Sequence, residues 1–315
     1  VDGVPRAFHL TSLWETVPLD ELVPAWVDPA RTPTVATLFD VIPHLFPDVY
    51  LSDVRVRVGY EARLALLRSV DRVVTISRTT AEDVQAATGV PAGRIDPVFG
   101  GVSEVFRPPA DGREAARAAV AAALPEVGDA PLVLAPLGIE PRKNVEGLIA
   151  AYSALPAEVA GEHPLVVQCA ARPDEVARHL ELHRTLGGAG RVVFTGYVPE
   201  STLVRLYQAA ELVVFPSLYE GLGLPVLEAR SCGAPVICGD NSALREVQPD
   251  PSARFDAGSV EAVRAALAGA LTDDAFLDRL RGRPLEEQFS WDRTADRLAD
   301  VHRSPLRAPG ARRSP

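Results

Sequence analysis

From Leu132 onward the sequence keeps switching between two periods. Short apolar runs (Leu132–Ala135, Leu165–Cys169, Val192–Thr195, Leu212–Phe215 and Pro235–Cys238) alternate with longer stretches whose apolar residues recur at helical spacing. Val145–Ala154, Asp174–Leu186 and Glu200–Ala210 are of the second kind. A short apolar run without regular polar alternation reads as a strand buried on both faces. Such strands occur where helices cover a parallel sheet from two sides. The pattern therefore restricts this part of the chain to βαβ units in an α/β fold.

The first hundred residues are similar in kind but sparser. Thr34–Leu38 and Arg72–Ile76 read as buried strands, and Tyr60–Ser69 and Thr80–Thr88 as helices. Phe106-Arg-Pro-Pro-Ala-Asp-Gly112 then breaks all periodicity, as a linker does, before a helix from Arg113 to about Leu124. At 315 residues the chain is long enough for two cores. The expected division is a first domain over residues 1–108, a second over 109–290, a last helix over 291–303, and a Pro- and Arg-rich disordered tail over 304–315. The opening VDGVPRAFHL has neither the basic start nor the apolar core of a signal peptide. It also lacks Met, as a processed chain or a part of a longer one would.

Composition excludes several classes. A formal charge of −10 argues against a general nucleic-acid binder, which needs a basic face. No apolar run approaches the roughly 20 residues of a membrane-spanning helix, so a cytoplasmic protein is expected, with contact at the inner membrane face as the limit. Cys169, Cys232 and Cys238 match no zinc spacing and read as buried thiols. Of 32 Lys and Arg residues one alone is lysine, Lys143, and asparagine occurs only at Asn144 and Asn241. A lysine is a compact point charge with three donors that arginine does not replace freely. Where it survives such a bias, its chemistry is the expected reason.

Pro216-Ser-Leu-Tyr-Glu-Gly-Leu-Gly-Leu-Pro-Val-Leu-Glu-Ala229 is the most specific segment. An apolar strand enters a loop with two glycines, and Pro225 stands where a first helical residue would, with Gly233 as the stop. The N–H groups at the start of this helix, and its positive end, face back toward Gly221–Leu224, an arrangement suited to an anion. Glu220 is expected in the loop and Glu228 in the first turn of the helix, both toward one crevice. Carboxylates there suit the vicinal hydroxyls of a ribose or hexose.

Glu220 and Glu228, with seven residues between them, resemble the paired-glutamate motif of retaining GT-B glycosyltransferases of glycosyltransferase family 4. Gly138-Ile-Glu-Pro-Arg-Lys-Asn144 is similar to that family's first loop, Val193-Phe-Thr-Gly-Tyr-Val198 to its strand and loop beside the nucleotide base, and Cys232-Gly-Ala-Pro-Val-Ile237 with Asp240-Asn-Ser-Ala-Leu-Arg-Glu-Val247 to the strand and loop that follow. Asp71-Arg-Val-Val-Thr-Ile-Ser77, Gly101-Val-Ser-Glu-Val-Phe-Arg-Pro108 and Phe289-Ser-Trp291 extend the likeness over about residues 34–303. The resemblance implies two Rossmann-like domains with parallel sheets facing a cleft, and a last helix that crosses back. It implies that Arg142 and Lys143 neutralise a donor diphosphate, that Glu220 binds the transferred sugar, and that Glu228 binds ribose. Gly138, Asn144, Gly196, Tyr197, Val198, Gly221, Leu222, Gly223 and Leu224 complete the expected donor site. No Asp-x-Asp triplet is present, so no metal or other cofactor is expected. Retention in this family implies front-face attack assisted by the leaving phosphate, without a protein nucleophile.

The expected partners are a nucleoside diphosphate sugar (GDP-mannose first, then UDP-hexoses) and a glycan, lipid-linked or small-molecule acceptor. Two departures qualify this. Phe39 stands where many members have a histidine, though Thr37-Leu-Phe-Asp-Val-Ile-Pro-His-Leu-Phe-Pro-Asp48 is similar to polysaccharide mannosyltransferases of the same family. The N-terminal domain lacks the family's opening strand and glycine-rich loop and is expected to be truncated, as in part of a longer chain. A non-catalytic glycosyltransferase-like module and a GT-B sugar-nucleotide epimerase are the alternatives. His44 reads as a helix-start or loop residue, with a replacement donor as the alternative, His179 and His183 as solvated surface residues, and His9 with Ser12 as candidates to line the cleft. Arg230 occupies a helix position where the family has an apolar residue, and the sequence offers no account of it.

Overall fold

The computed structural model describes residues 7–14, 18, 21–25, 27–28, 32–281 and 285–304; most of the tail and part of the opening segment therefore lie outside the described residues. The chain divides into two compact units. One takes the residues up to Gly101 together with those from Glu287, and the other takes Val102–Glu286.

In the first unit β1 (Phe8–Leu10), β2 (Thr34–Leu38), β3 (Arg72–Thr75) and β4 (Ile95–Pro97) form a parallel sheet in that order. Helices α1 (Ile42–Leu45), α2 (Pro47–Tyr50), α3 (Val54–Leu66) and α4 (Arg78–Thr88) connect them. The α3 helix starts at Val54, earlier than Tyr60, because the Asp53 carboxylate accepts from the N–H groups of Arg55 and Val56 and caps its first turn. Buried Asp71 accepts from the N–H and hydroxyl of Thr34 at 2.8 and 3.0 Å, which fixes the start of β3 against β2. Ser77 caps α4 by accepting from the Thr80 N–H at 2.9 Å. The helix Trp291–Arg303 belongs to this unit: its Val301 closes a small core with Val35, Val74 and Val98. Gly101 allows the approach, since a Cβ there would lie 2.5 Å from the Trp291 nitrogen.

The second unit holds β5 (Val133–Pro136), β6 (Leu165–Gln168), β7 (Val192–Phe194), β8 (Leu212–Phe215), β9 (Val236–Gly239) and β10 (Arg254–Phe255). All are parallel, in the order β10-β9-β8-β5-β6-β7. The helices are α5 (Gly112–Ala123), α6 (Val145–Ser153), α7 (Ala157–Glu162), α8 (Pro173–Thr185), α9 (Glu200–Ala209), α10 (Leu224–Ser231), α11 (Leu244–Val247), α12 (Val260–Leu271) and α13 (Asp274–Arg281), and Trp291–Arg303 of the first unit is α14. The chain builds outward from β5 to β7, returns to the centre, and builds outward again from β8 to β10. Successive connections therefore leave β5 and β8 in opposite directions. The two strands pair at Val133 with Leu212 and Leu134 with Val213. Beyond their carboxyl ends the diverging loops open the crevice in which doubly wound sheets bind ligands.

Four details differ from the sequence reading. Residues 102–108 pack with the second unit: Gln208 donates to the Arg107 carbonyl at 2.8 Å and Phe106 meets the Tyr207 ring edge-on. Glu228 is the fifth residue of α10, in its second turn and not its first. His179 and His183 are packing residues, not solvated ones, because this face of α8 turns toward β7 and α6. His179 is 2% exposed, donates to the Glu175 carbonyl, and sits 5.8 Å from the Phe194 ring. His183 lies 2.7 Å from both Ser153 Oγ and the Gly190 carbonyl. Arg230 is buried, donating to the Val247 carbonyl at 2.6 Å and to both Glu286 oxygens at 2.9 and 3.0 Å. It ties α10 to α11 and to the segment that leaves the unit. Its charge is accounted for by this bidentate pairing.

Candidate active site

The two loops that diverge at the switch point carry the residues singled out in the sequence. After β5 the chain passes Gly138 and Glu140, makes a 3-10 turn over Pro141–Lys143, and enters α6 through Asn144. Asn144 has φ +58°, the left-handed region in which asparagine is one of the few tolerated side chains. Its amide donates to the Ala257 carbonyl at 2.7 Å. The rare asparagine thus shapes the turn that presents Arg142 and Lys143.

After β8 the second loop lies directly on the first. The Leu218 N–H donates to the Arg142 carbonyl at 2.7 Å, and the hydroxyl of fully buried Ser217 is 3.2 Å from the same carbonyl. Glu220 is then held by four partners. Its N–H donates to Ser242 Oγ at 2.9 Å, and the Ser217 hydroxyl donates to Oε1 at 2.6 Å. Lys143 Nζ donates to Oε1 at 2.6 Å and an Arg142 NH group pairs with Oε2 at 2.9 Å. The carboxylate is 9% exposed, and the two cations are 14% and 16% exposed. Arg142 also reaches the Tyr219 carbonyl and half-exposed Glu140, while Lys143 sits over the Phe215 ring at 5.3 Å. Two cations thus meet one buried carboxylate, Glu220, and one half-exposed one, Glu140, which concentrates paired charge here in a chain that is acidic overall.

Gly223 ends the loop and starts α10. Its φ of +94° is strained for any side chain, and a Cβ there would stand 2.8 Å from Leu244 Cδ2. Gly221 and Leu222 are buried and Leu224 is exposed. Glu228 stands apart from the Arg142–Lys143–Glu220 group. Its Oε2 accepts from the hydroxyl of buried Tyr207 on α9 at 2.8 Å. Burial raises the Glu228 pKa, the Tyr207 hydrogen bond pulls it down, and Glu200 pushes it up. The expected base-side loop follows β7, the edge strand: Gly196 turns the chain at φ +67°, Val198 is buried, and Tyr197 is 82% exposed. Gly138 lies half-buried beside the Lys143 stem.

The structure therefore brings Arg142, Lys143 and Glu220 into contact, with Ser217 and Ser242 as supports that sequence reasoning missed. Ser217 follows directly on the strand-ending Pro216, which is the one signal that could have marked it. Tyr207 was also missed, because a tyrosine at helical spacing reads as core. Among the described residues, no three His, Cys, Asp or Glu side chains gather as a metal site would require. A separate groove of about 620 Å³ runs between connector residues Glu104–Asp111 and one face of α9. Its charges are of both signs, without the convergent cations of the switch-point loops.

The family model for glycosyl transferases group 1 matches residues 117–283. The serotype-specific mannosyltransferase WbdA of Escherichia coli is 35% identical over 266 residues, which is 83% of this chain and 32% of WbdA. The O-antigen chain mannosyltransferase B of the same species is 38% identical over 168 residues, 52% of this chain and 44% of that protein. The chain thus spans about a third of the length of WbdA. Among solved structures, Anabaena Alr3699/HepE in complex with UDP and glucose superposes with a TM-score of 0.71 at 19% identity, covering 87% of this chain and 72% of that one. That likeness concerns the fold. The family model covers more than half of the chain, including both switch-point loops and Tyr207: the chain belongs to the group 1 glycosyl transferases and has their GT-B type fold.

Proposed function

We propose that this chain provides the donor site of a retaining hexosyltransferase. It takes a nucleoside diphosphate sugar, GDP-mannose before a UDP-hexose, and delivers the sugar to a glycan, lipid-linked or small-molecule acceptor. The observation that carries this reading is the meeting of Arg142, Lys143 and Glu220 at the switch point between β5 and β8. A diphosphate leaving group accumulates negative charge as the bond to the anomeric carbon breaks. Arg142 and Lys143, fixed by the 3-10 turn and the zipped loops, supply preorganised positive charge where that happens. At the start of α10 Pro225 has no N–H, and those of Val226 and Leu227 already donate to the Gly223 carbonyl, so the two side chains carry this neutralisation.

Glu220, freed from its cations by the incoming phosphates, faces the transferred sugar. There it accepts from sugar hydroxyls and stabilises an oxocarbenium-like state. The attacking acceptor hydroxyl approaches on the same face as the departing phosphate, which takes its proton. Glu228 holds the ribose diol. The names of the relatives support mannose as the first donor to test.

A panel of GDP- and UDP-sugars, GDP-mannose included, tests this by release of nucleoside diphosphate. Wild-type chain is expected to turn over at least one donor, with Glu220→Ala slowed by about 100-fold or more, as loss of a transition-state contact predicts. Nucleotide binding without turnover of any donor would sink the enzyme reading.

A further inference from the structure

We propose that Tyr207 is a positioning residue for nucleotide recognition: its hydroxyl holds the Glu228 carboxylate in the orientation that accepts the two ribose hydroxyls. This rests on the donor reading above. Tyr207 is 1% exposed, and its O–H donates to Glu228 Oε2 at 2.8 Å. The ring itself has no room to swing. Phe106 meets it edge-on with centroids 5.9 Å apart, and the neighbouring Gln208 is tied to the Arg107 carbonyl at 2.8 Å. A rigid donor from α9 thus reaches across to the second turn of α10.

A carboxylate has about four lone-pair sites on two oxygens. Tyr207 occupies one site on Oε2, so both oxygens keep a site for a vicinal diol. Without that bond the Glu228 side chain regains rotamer freedom, which diol binding would have to remove. The bond also favours the ionised form, the one that accepts from both hydroxyls. The ionisable groups facing the pair are Glu200 on α9 and Cys232 just beyond α10; neither supplies a positive charge that could replace the phenol. A glutamate that merely satisfied a buried tyrosine hydroxyl would account for the bond as well, but it would leave diol recognition indifferent to position 207.

The two cases separate in a calorimetric comparison of GDP and UDP with their 2′,3′-dideoxy counterparts on wild type, Tyr207→Phe and Glu228→Gln. Phenylalanine keeps the ring and its packing on Phe106. Wild type is expected to prefer the ribonucleotide. In Tyr207→Phe its Kd should rise by about ten-fold, the cost of re-ordering a freed glutamate side chain, with dideoxynucleotide affinity unchanged. Glu228→Gln should lose the preference as well. Equal weakening of both nucleotides in Tyr207→Phe, or no change in either, overturns the positioning proposal while the donor reading stands. Failure of wild type to bind either ribonucleotide overturns the donor reading, and this proposal with it.

Discussion

Replacing Glu220 by glutamine keeps shape and hydrogen-bonding capacity but removes the charge between Arg142 and Lys143. At 2.6 and 2.9 Å and an effective dielectric of about 20, each pair carries a Coulomb attraction of about 6 kcal/mol. Much of that offsets desolvation, and removing one partner of a buried ion pair costs about 3–5 kcal/mol net. All three groups keep some exposure, so the low end applies, about 3 kcal/mol. For a unit of this size each kcal/mol lowers Tm by about 2–4 °C, which gives a fall of about 6–12 °C. With one carboxylate fewer beside them, Lys143 and Arg142, which keeps Glu140, then favour an external anion, so pyrophosphate should bind the variant about ten-fold more tightly than wild type. That affinity gain restores about 1.4 kcal/mol at saturating ligand. Scanning fluorimetry with and without pyrophosphate reads both effects. An unchanged Tm in Glu220→Gln, or the same pyrophosphate response in variant and wild type, would refute the reasoning.

Two further outcomes follow from the same geometry. Burial raises the Glu228 pKa above its ordinary value of 4.5, so the folded state favours the protonated acid. The resulting stability is fully present below the ordinary value and is lost as pH rises through the raised one. Glu228→Gln should therefore melt higher than wild type at neutral pH, with the advantage disappearing in melts near pH 4, while nucleotide affinity falls. Gly223→Ala forces a side chain to φ +94° against Leu244 and should cost about 1–3 kcal/mol, read from thermal or urea unfolding. A melt indistinguishable from wild type would mean that the loop relaxes freely.

Much of the second unit was legible because its strands are continuous apolar runs, and β8 has the bounds Leu212–Phe215 that the sequence suggests. The short edge strand β10, Arg254–Phe255, carries no such signal: two residues with a polar member show no period. The start of α3 was hidden because Val54-Arg-Val-Arg-Val58 alternates like a strand, and the Asp53 cap decides otherwise. In the site, the lone lysine and the paired glutamates were visible as residue types in order. Their mutual pairing was not, since Lys143 and Glu220 lie 77 positions apart and meet only through the β5–β8 switch. His179 and His183 failed for a related reason: helical spacing says which residues share a face, not which neighbour that face meets.

The most direct test is the Kd of GDP and UDP for wild-type chain against Lys143→Ala, measured by calorimetry with circular dichroism as the fold control. The account predicts that wild type binds at least one of the two, and that loss of the lysine weakens that binding by about ten-fold or more without changing the fold, as removal of a charge-assisted phosphate contact does. Equal affinity in the two proteins would contradict it, because the positive charge at the β5–β8 switch point would then have no part in holding the diphosphate.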